Sequence, residues 1–215
     1  MIRVGILALQ GDFAAHAAVL SKLGRDAVEV RGVGSLDDVD ALIIPGGEST
    51  TLLNLMQDEP WFDRLRDFHD RGGSILGTCA GAIVLAREVL DPHQPSLGLL
   101  PVTIRRNGYG RQVDSFETEI DVAGESSPKN AVFIRAPRLD SWDDDVQVLA
   151  LHAGEPVLVA HDRVMAATFH PEITGETWLH RRFLETATER IEKRIKNTVR
   201  TKNETAHGGM TCTST

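Results

Sequence analysis

Ser74-Ile75-Leu76-Gly77-Thr78-Cys79-Ala80-Gly81-Ala82-Ile83-Val84-Leu85 is the stretch whose reading decides the fold. Its first five residues form a short apolar run ending in small residues, which reads as a buried strand from Ser74 to Thr78. Ala82 to Glu88 then reads as a helix, so the strand turns sharply into the helix with Cys79 on the corner. The same strand-to-helix reading recurs on the N-terminal side. Ile2 to Leu9 is an apolar, β-branched run, and after Asp12 the residues Phe13, Ala17 and Leu20 fall on one helical face before Gly24. Ala27 to Val30 and Ala41 to Ile44 read as further strands, the second ending at the breaker cluster Pro45-Gly46-Gly47. Apolar residues recur at helical spacing over Thr50 to Met56 and Trp61 to Phe68, with Gly72-Gly73 closing the second segment.

On the C-terminal side the pattern changes. Strands are expected at Val102 to Arg105, Phe116 to Val122, Val132 to Ile134, Val146 to Leu151, Val157 to Ala160 and Val164 to Phe169, with no helix between them. Connections that short require antiparallel or mixed pairing. Leu179, Phe183, Ala187, Ile191 and Ile195 then recur every fourth residue and describe one amphipathic helix. The expected fold is α/β: a three-layer, open mixed sheet, mainly parallel with an antiparallel section in the second half, and helices on both faces. One domain is expected over residues 1–195. Residues 196–215, rich in Thr, Asn, Lys and Gly, are expected to be a disordered tail.

Composition narrows the function. The chain has 215 residues, with 41% hydrophobic and 25% charged, which excludes collagen-like and wholly disordered classes. A net charge of -8 disfavours nucleic acid and anionic membranes as partners. No apolar run approaches the roughly 20 residues that span a bilayer, and the N-terminus does not read as a signal peptide. Two cysteines, Cys79 and Cys212, make a disulfide framework improbable and point to a reducing compartment, the cytoplasm. The acidic cluster Asp140, Asp143, Asp144 and Asp145 around Trp142 reads as a solvated turn, since its spacing does not match a calcium loop.

In parallel sheets of this kind ligands bind beyond the carboxyl ends of the strands, and three candidate pieces fall there. Gly77-Thr78-Cys79-Ala80-Gly81 has the form of a nucleophile elbow carrying sulfur. Small neighbours keep the thiol accessible, and a following helix N-terminus favours a thiolate. A small buried cysteine at a helix start is an equally good reading of that pentapeptide alone. Phe169-His170-Pro171-Glu172 supplies a base: His170 can take the Cys79 proton, and Glu172 can hold the other ring nitrogen. Pro45-Gly46-Gly47-Glu48-Ser49-Thr50 has glycines whose N–H groups can approach a ligand, and Ser49 or Thr50 is expected to cap the next helix. It lacks the lysine of a phosphate-binding Walker loop. Metal binding by His152 and His161 is a weak reading, since they lie on different elements.

Together these pieces resemble the class I, triad-type glutamine amidotransferases. Within that class the chain is similar to the glutaminase subunits of pyridoxal 5'-phosphate synthases, through Leu9-Gln10-Gly11-Asp12-Phe13 with His16, the Pro45 to Thr51 loop, and Asn107 with Tyr109-Gly110-Arg111-Gln112. Ser115-Phe116-Glu117, Phe133-Ile134-Arg135-Ala136-Pro137 and Thr168 to Glu172 complete the likeness. The resemblance implies hydrolysis of L-glutamine through a Cys79 γ-glutamyl thioester, with ammonia channelled to a synthase subunit in a hetero-oligomer. It implies a triad of Cys79, His170 and Glu172, an oxyanion hole from Gly46, Gly47 and the Ala80 N–H, and glutamine contacts at Glu48, Arg106, Ile134 and Arg135. Gln10 is the expected relay of partner activation, and neither metal nor organic cofactor is expected. The competing readings are a glutaminase subunit of another synthase, such as that of histidine synthesis, a related γ-glutamyl cysteine hydrolase, and a non-catalytic scaffold.

Overall fold

The computed structural model describes residues 2–108 and 115–207, with only the backbone at 195 and 197–207. Twelve strands and five helices follow in order: β1 Val4–Leu7, α1 Phe13–Lys22, β2 Ala27–Val30, β3 Ala41–Ile44, α2 Ser49–Leu55, α3 Trp61–Asp70, β4 Ser74–Thr78, α4 Ala80–Leu85 and β5 Ala86–Leu90. Then come β6 Leu100–Arg105, β7 Ser115–Val122, β8 Lys129–Ile134, β9 Arg138–Trp142, β10 Gln147–His152, β11 Glu155–His161, β12 Val164–Ala167 and α5 Trp178–His207. A short 3-10 turn at Val33–Asp38 joins β2 to β3.

The main sheet has the order β2-β1-β3-β4-β12-β11-β10-β7-β8. Its first five strands are parallel, and from β12 onward each neighbour is antiparallel. The α/β architecture with helices on both faces is therefore as expected. Strand alternation builds the two cores: in β3, Leu42 and Ile44 join the core under α2, α3 and α4, while Ala41 and Ile43 join the core under α1 and α5. β12 divides the same way, Val164 and Ala166 to one side and Met165 and Ala167 to the other. Because β4 and β12 are adjacent and parallel, with Thr78 paired to Ala167, the residues that follow them emerge side by side at one sheet edge.

Three expectations are corrected. The helix expected over Ala82 to Glu88 is α4, which stops at Leu85; at Ala86 the backbone becomes extended (φ -58, ψ 156) and pairs with β6 as β5. A second sheet, β5-β6-β9, results. The acidic cluster is exposed, with Asp144 and Asp145 in a turn as expected, but Asp140 and Trp142 lie in β9, and three of its carboxylates are ion-paired, Asp140 with Arg105, Asp143 with Arg87 and Asp145 with His161. The last helix continues through His207 instead of ending near Ile195. No Gly or Pro interrupts Trp178 to His207, and Gly208-Gly209 follow directly. The remainder of the expected tail, and Cys212 in it, lies outside the described residues, as do Tyr109 to Gln112.

Candidate active site

Cys79 stands on the corner between β4 and α4, as the N-cap of the helix, with φ 47 and ψ -103. A non-glycine residue holds such a conformation only when its surroundings over-determine it. They do: the Cys79 N–H donates to the Ala167 carbonyl at 2.8 Å, and the Ile83 N–H donates to the Cys79 carbonyl at 3.1 Å. The flanking glycines make the corner tight, since a Cβ at Gly81 would overlap the Ile44 carbonyl and one at Gly77 would meet the Gly81 backbone at 2.6 Å. The thiol is 5% exposed, its sulfur 3.9 Å from the Ile134 carbonyl oxygen.

His170 leaves the end of the neighbouring β12, its own N–H held by the Val132 carbonyl at 2.8 Å. Its Nδ1 lies 2.7 Å from Glu172 Oε1, and both side chains are buried. Nε2 is buried without a hydrogen bond of normal geometry, on the side where Cys79 stands. Burial opposes a charge on His170, but hydrogen bonding and Coulomb attraction from Cys79 and Glu172 prevail and raise its pKa to about 10. Gly46 fits between the two partners: a Cβ there would overlap the His170 ring and come within 3.3 Å of Cys79 Cβ. The chain thus brings a thiol, an imidazole and a carboxylate together from residues 79, 170 and 172, with a glycine loop over them.

That loop is held by Gln10, in the turn that follows β1. Gln10 Oε1 accepts from the Glu48 N–H at 3.2 Å, its amide lies against Gly47, and Gly47 has φ +147. The amide nitrogen of Gln10 is buried without a partner. Helix α2 is capped by neither Ser49 nor Thr50. Glu48 is the N-cap, accepting from the Thr50 N–H at 3.0 Å, because a side chain one residue earlier reaches the free amide while Ser49 turns inward to Gln94. Arg106 pairs with Glu48 at 3.2 Å and reaches Thr50 Oγ1 at 3.3 Å, so the two expected glutamine contacts meet each other. Arg135 follows β8 at φ 41 and is exposed, and Ala80 opens α4 fully buried.

The expectations left out what stands behind the carboxylate. Glu172 Oε2 lies 3.4 Å from His16 Nε2, and His16 also meets Thr78 Oγ1 at 3.2 Å and His180 Nε2 at 2.8 Å. In the sequence His16 stands out only as part of a likeness, and His180 not at all. They are 164 residues apart on α1 and α5, and no local pattern joins them. Among the described residues, the group able to ligate a metal ion is Asp12, His170 and Glu172, with one ligand atom of each mutually within 4.8 Å. Two of its three members already face each other in a hydrogen bond. His161 and His152 do not join it: one pairs with Asp145, the other packs on Phe116 and Phe133.

The chain belongs to the SNO glutamine amidotransferase family, whose model matches residues 6–189. It is 49% identical over 192 residues to the pyridoxal 5'-phosphate synthase subunit PdxT of Deinococcus radiodurans, covering 87% of this chain and 98% of that protein. The protein of the same name from Thermosipho africanus is 44% identical over 183 residues, covering 85% and 97%. A solved glutamine amidotransferase superposes with a TM-score of 0.82 at 46% identity, over 86% of this chain and 98% of that one. A putative GMP synthase component from Thermoplasma acidophilum, 19% identical with a TM-score of 0.67 over 90% and 98%, shares the fold.

Proposed function

We propose that this chain is the glutaminase subunit of a pyridoxal 5'-phosphate synthase, hydrolysing L-glutamine to glutamate and handing the ammonia to a synthase subunit. The observation that carries the reading is Cys79 on its strained corner beside the buried His170–Glu172 pair, in a chain of this family. Cys79 is the nucleophile. Its thiolate attacks the side-chain carboxamide carbon, and the C=O electron pair moves onto oxygen, where the N–H groups of Gly46, Gly47 and Ala80 are assigned to receive it. His170, held as an imidazolium by the neighbouring charges, gives the Nε2 proton to the leaving nitrogen as the C–N bond breaks. Ammonia departs and a γ-glutamyl thioester remains. Neutral His170 then takes a proton from water, the hydroxide adds to the thioester, and the C–S bond breaks to return the thiolate. Glu172 keeps the His170 Nδ1–H oriented without accepting that proton.

Glu48, Arg106, Ile134 and Arg135 are assigned to hold glutamine, and the contact between Glu48 and Arg106 opens as the amino acid enters. Gln10 is assigned to pass synthase docking to the loop, because it touches both Gly47 and the Glu48 N–H. Among the described residues no helix is long and apolar enough to cross a membrane, and the cytoplasm is the proposed location. The test is glutamate release at saturating glutamine, with and without a purified synthase subunit, together with peptide mapping after an electrophilic glutamine analogue. Release that rises on adding the synthase, with label on Cys79, supports the reading; label on Cys212 defeats it.

A further inference from the structure

We propose that His16 is a positioning residue for the glutaminase reaction: its Nε2–H holds the far oxygen of Glu172, and His180 fixes the tautomer that makes this possible. The inference rests on the function proposed above and extends it to two histidines that the reaction itself does not use.

Glu172 is buried, and its two oxygens have different company. Oε1 meets His170 Nδ1 at 2.7 Å, whereas Oε2 has no hydrogen bond of normal geometry and faces His16 Nε2 at 3.4 Å. A buried carboxylate oxygen without a donor is costly, so it matters which nitrogen of His16 carries the proton. The bond between His16 Nδ1 and His180 Nε2, 2.8 Å long, can run in two directions. If His16 Nδ1–H donates, its Nε2 is a lone pair that can accept from the Thr78 hydroxyl but also faces a carboxylate oxygen at 3.4 Å, and the His180 proton must sit on Nδ1. That nitrogen is buried without a partner. If His180 Nε2–H donates instead, His16 carries its proton on Nε2, aimed at Glu172 Oε2 and Thr78 Oγ1, and His180 Nδ1 is left as an acceptor. An unmet acceptor costs less than an unmet N–H combined with lone-pair repulsion, so the second direction prevails.

The result is a line of donors converging on one carboxylate: His180 to His16, His16 to Glu172, and His170 to Glu172 from the other side. His16 and His180 are fully buried, and burial first, then the Coulomb cost of a second positive charge beside His180 and His170, keeps His16 neutral. A cross-brace between α1 and α5 would need the bond but not its direction. The position of Thr78, one residue before Cys79 and 3.2 Å from His16 Nε2, ties the same imidazole to the nucleophile corner.

The test uses the full-length chain. Long-range imidazole ¹H–¹⁵N spectra of the ¹⁵N-histidine protein should show His16 neutral with its proton on Nε2, and Glu172→Gln should shift the His16 Nε2 resonance. In the glutaminase assay with the synthase subunit, His16→Leu should lower kcat about 10- to 100-fold, as loss of an outer partner of a functional side chain does, with KM for glutamine within about twofold. His16→Gln, which places an amide N–H where Nε2 stood, should recover most of that loss. An Nδ1–H or charged His16, a folded His16→Leu chain with wild-type kcat, or no recovery in His16→Gln would overturn the proposal. If the wild-type pair releases no glutamate, the functional reading fails, and the spectra alone then decide the hydrogen-bond direction. If His16→Leu does not fold, His16→Gln and the spectra decide it.

Discussion

Two buried imidazole environments lie on opposite sides of Glu172, and the fold drives their proton affinities apart. His170, at the open ends of β4 and β12, is pushed up to about 10 by Cys79 and Glu172 against the cost of burial. His180, on the inner face of α5, is pushed down to about 4 by burial, and His16 is lowered by the same cause. Burial acts on all three rings in the same sense, so the difference is made by what each ring faces. His170 faces the Cys79 thiol on one side and, at 2.7 Å, a carboxylate oxygen on the other. His180 faces another neutral imidazole. A charged ring at the mouth can supply a proton to a leaving group, and neutral rings behind it can orient the carboxylate without competing for that proton.

The largest expected effect removes the charged side of this contrast. Cys79→Ala and His170→Asn should each lower the rate of glutamate release by about 10⁴-fold or more, the usual consequence of losing a member of a nucleophile–base pair. Steady-state release with the synthase subunit present measures it, and residual turnover within tenfold of wild type would end the assignment. Glu172→Gln should cost less, about 10²- to 10⁴-fold in kcat, with glutamine affinity nearly unchanged. Gly46→Ala should resemble it although no reacting group changes, because the new methyl occupies the space of the His170 ring. A Gly46→Ala protein with full turnover and an unchanged His170 resonance would show that the loop yields freely.

How much of this was legible beforehand depends on whether the information was local. Cys79 between Gly77 and Gly81, and His170 two residues before Glu172, are short patterns whose geometry follows from a strand end and a turn. The alternation that builds the parallel half was equally readable. β5 was not: Ala86 to Leu90 continues an apolar helix in sequence, and only pairing with β6 makes it extended. Glu48 outcompeted Ser49 and Thr50 for the α2 cap because Ser49 found Gln94 45 residues away. His16 and His180 were invisible as a pair for the same reason, since their meeting depends on α1 and α5 packing on one face of a finished sheet.

The pH dependence should separate the two environments, with opposite signs. A group whose folded pKa is depressed below 6.5 binds fewer protons folded than unfolded, so His16 and His180 make stability fall as pH drops from 6.5 towards about 4. The raised pKa of His170 contributes stability that is full below 6.5 and is lost as pH rises through about 10. For His180 alone, urea unfolding from pH 7 to 4 should show a loss on the order of 3 kcal/mol, with His16 adding to it in the same direction. The lowered carboxylates Asp37 and Asp143 start from 3.8 and so act below this window. A flat profile between pH 6.5 and 4 would mean that the inner histidines are not held neutral.

The smallest effect is expected where α5 leaves the contrast behind. His180 sits in its first turn, and the side chains that fasten the helix to the sheet, Leu179, Phe183, Leu184 and Ala187, all lie within its first three turns. Further along, Arg190 pairs with Asp162, and Arg194 contacts the Arg71 carbonyl. A chain ended after Lys196 keeps each of these contacts, and the residues it loses are mostly Thr, Asn, Lys and Gly with few apolar positions, a composition that contributes little to helix or core stability. Such a chain should keep its turnover, its acid profile and its His16 tautomer, with a melting temperature within a few degrees of the full chain, about what a 1 kcal/mol change produces at this size. Loss of activity on truncation would instead mean that the distal turns of α5 hold His180 against His16, and that the neutral environment behind Glu172 extends further down the helix than its buried residues do.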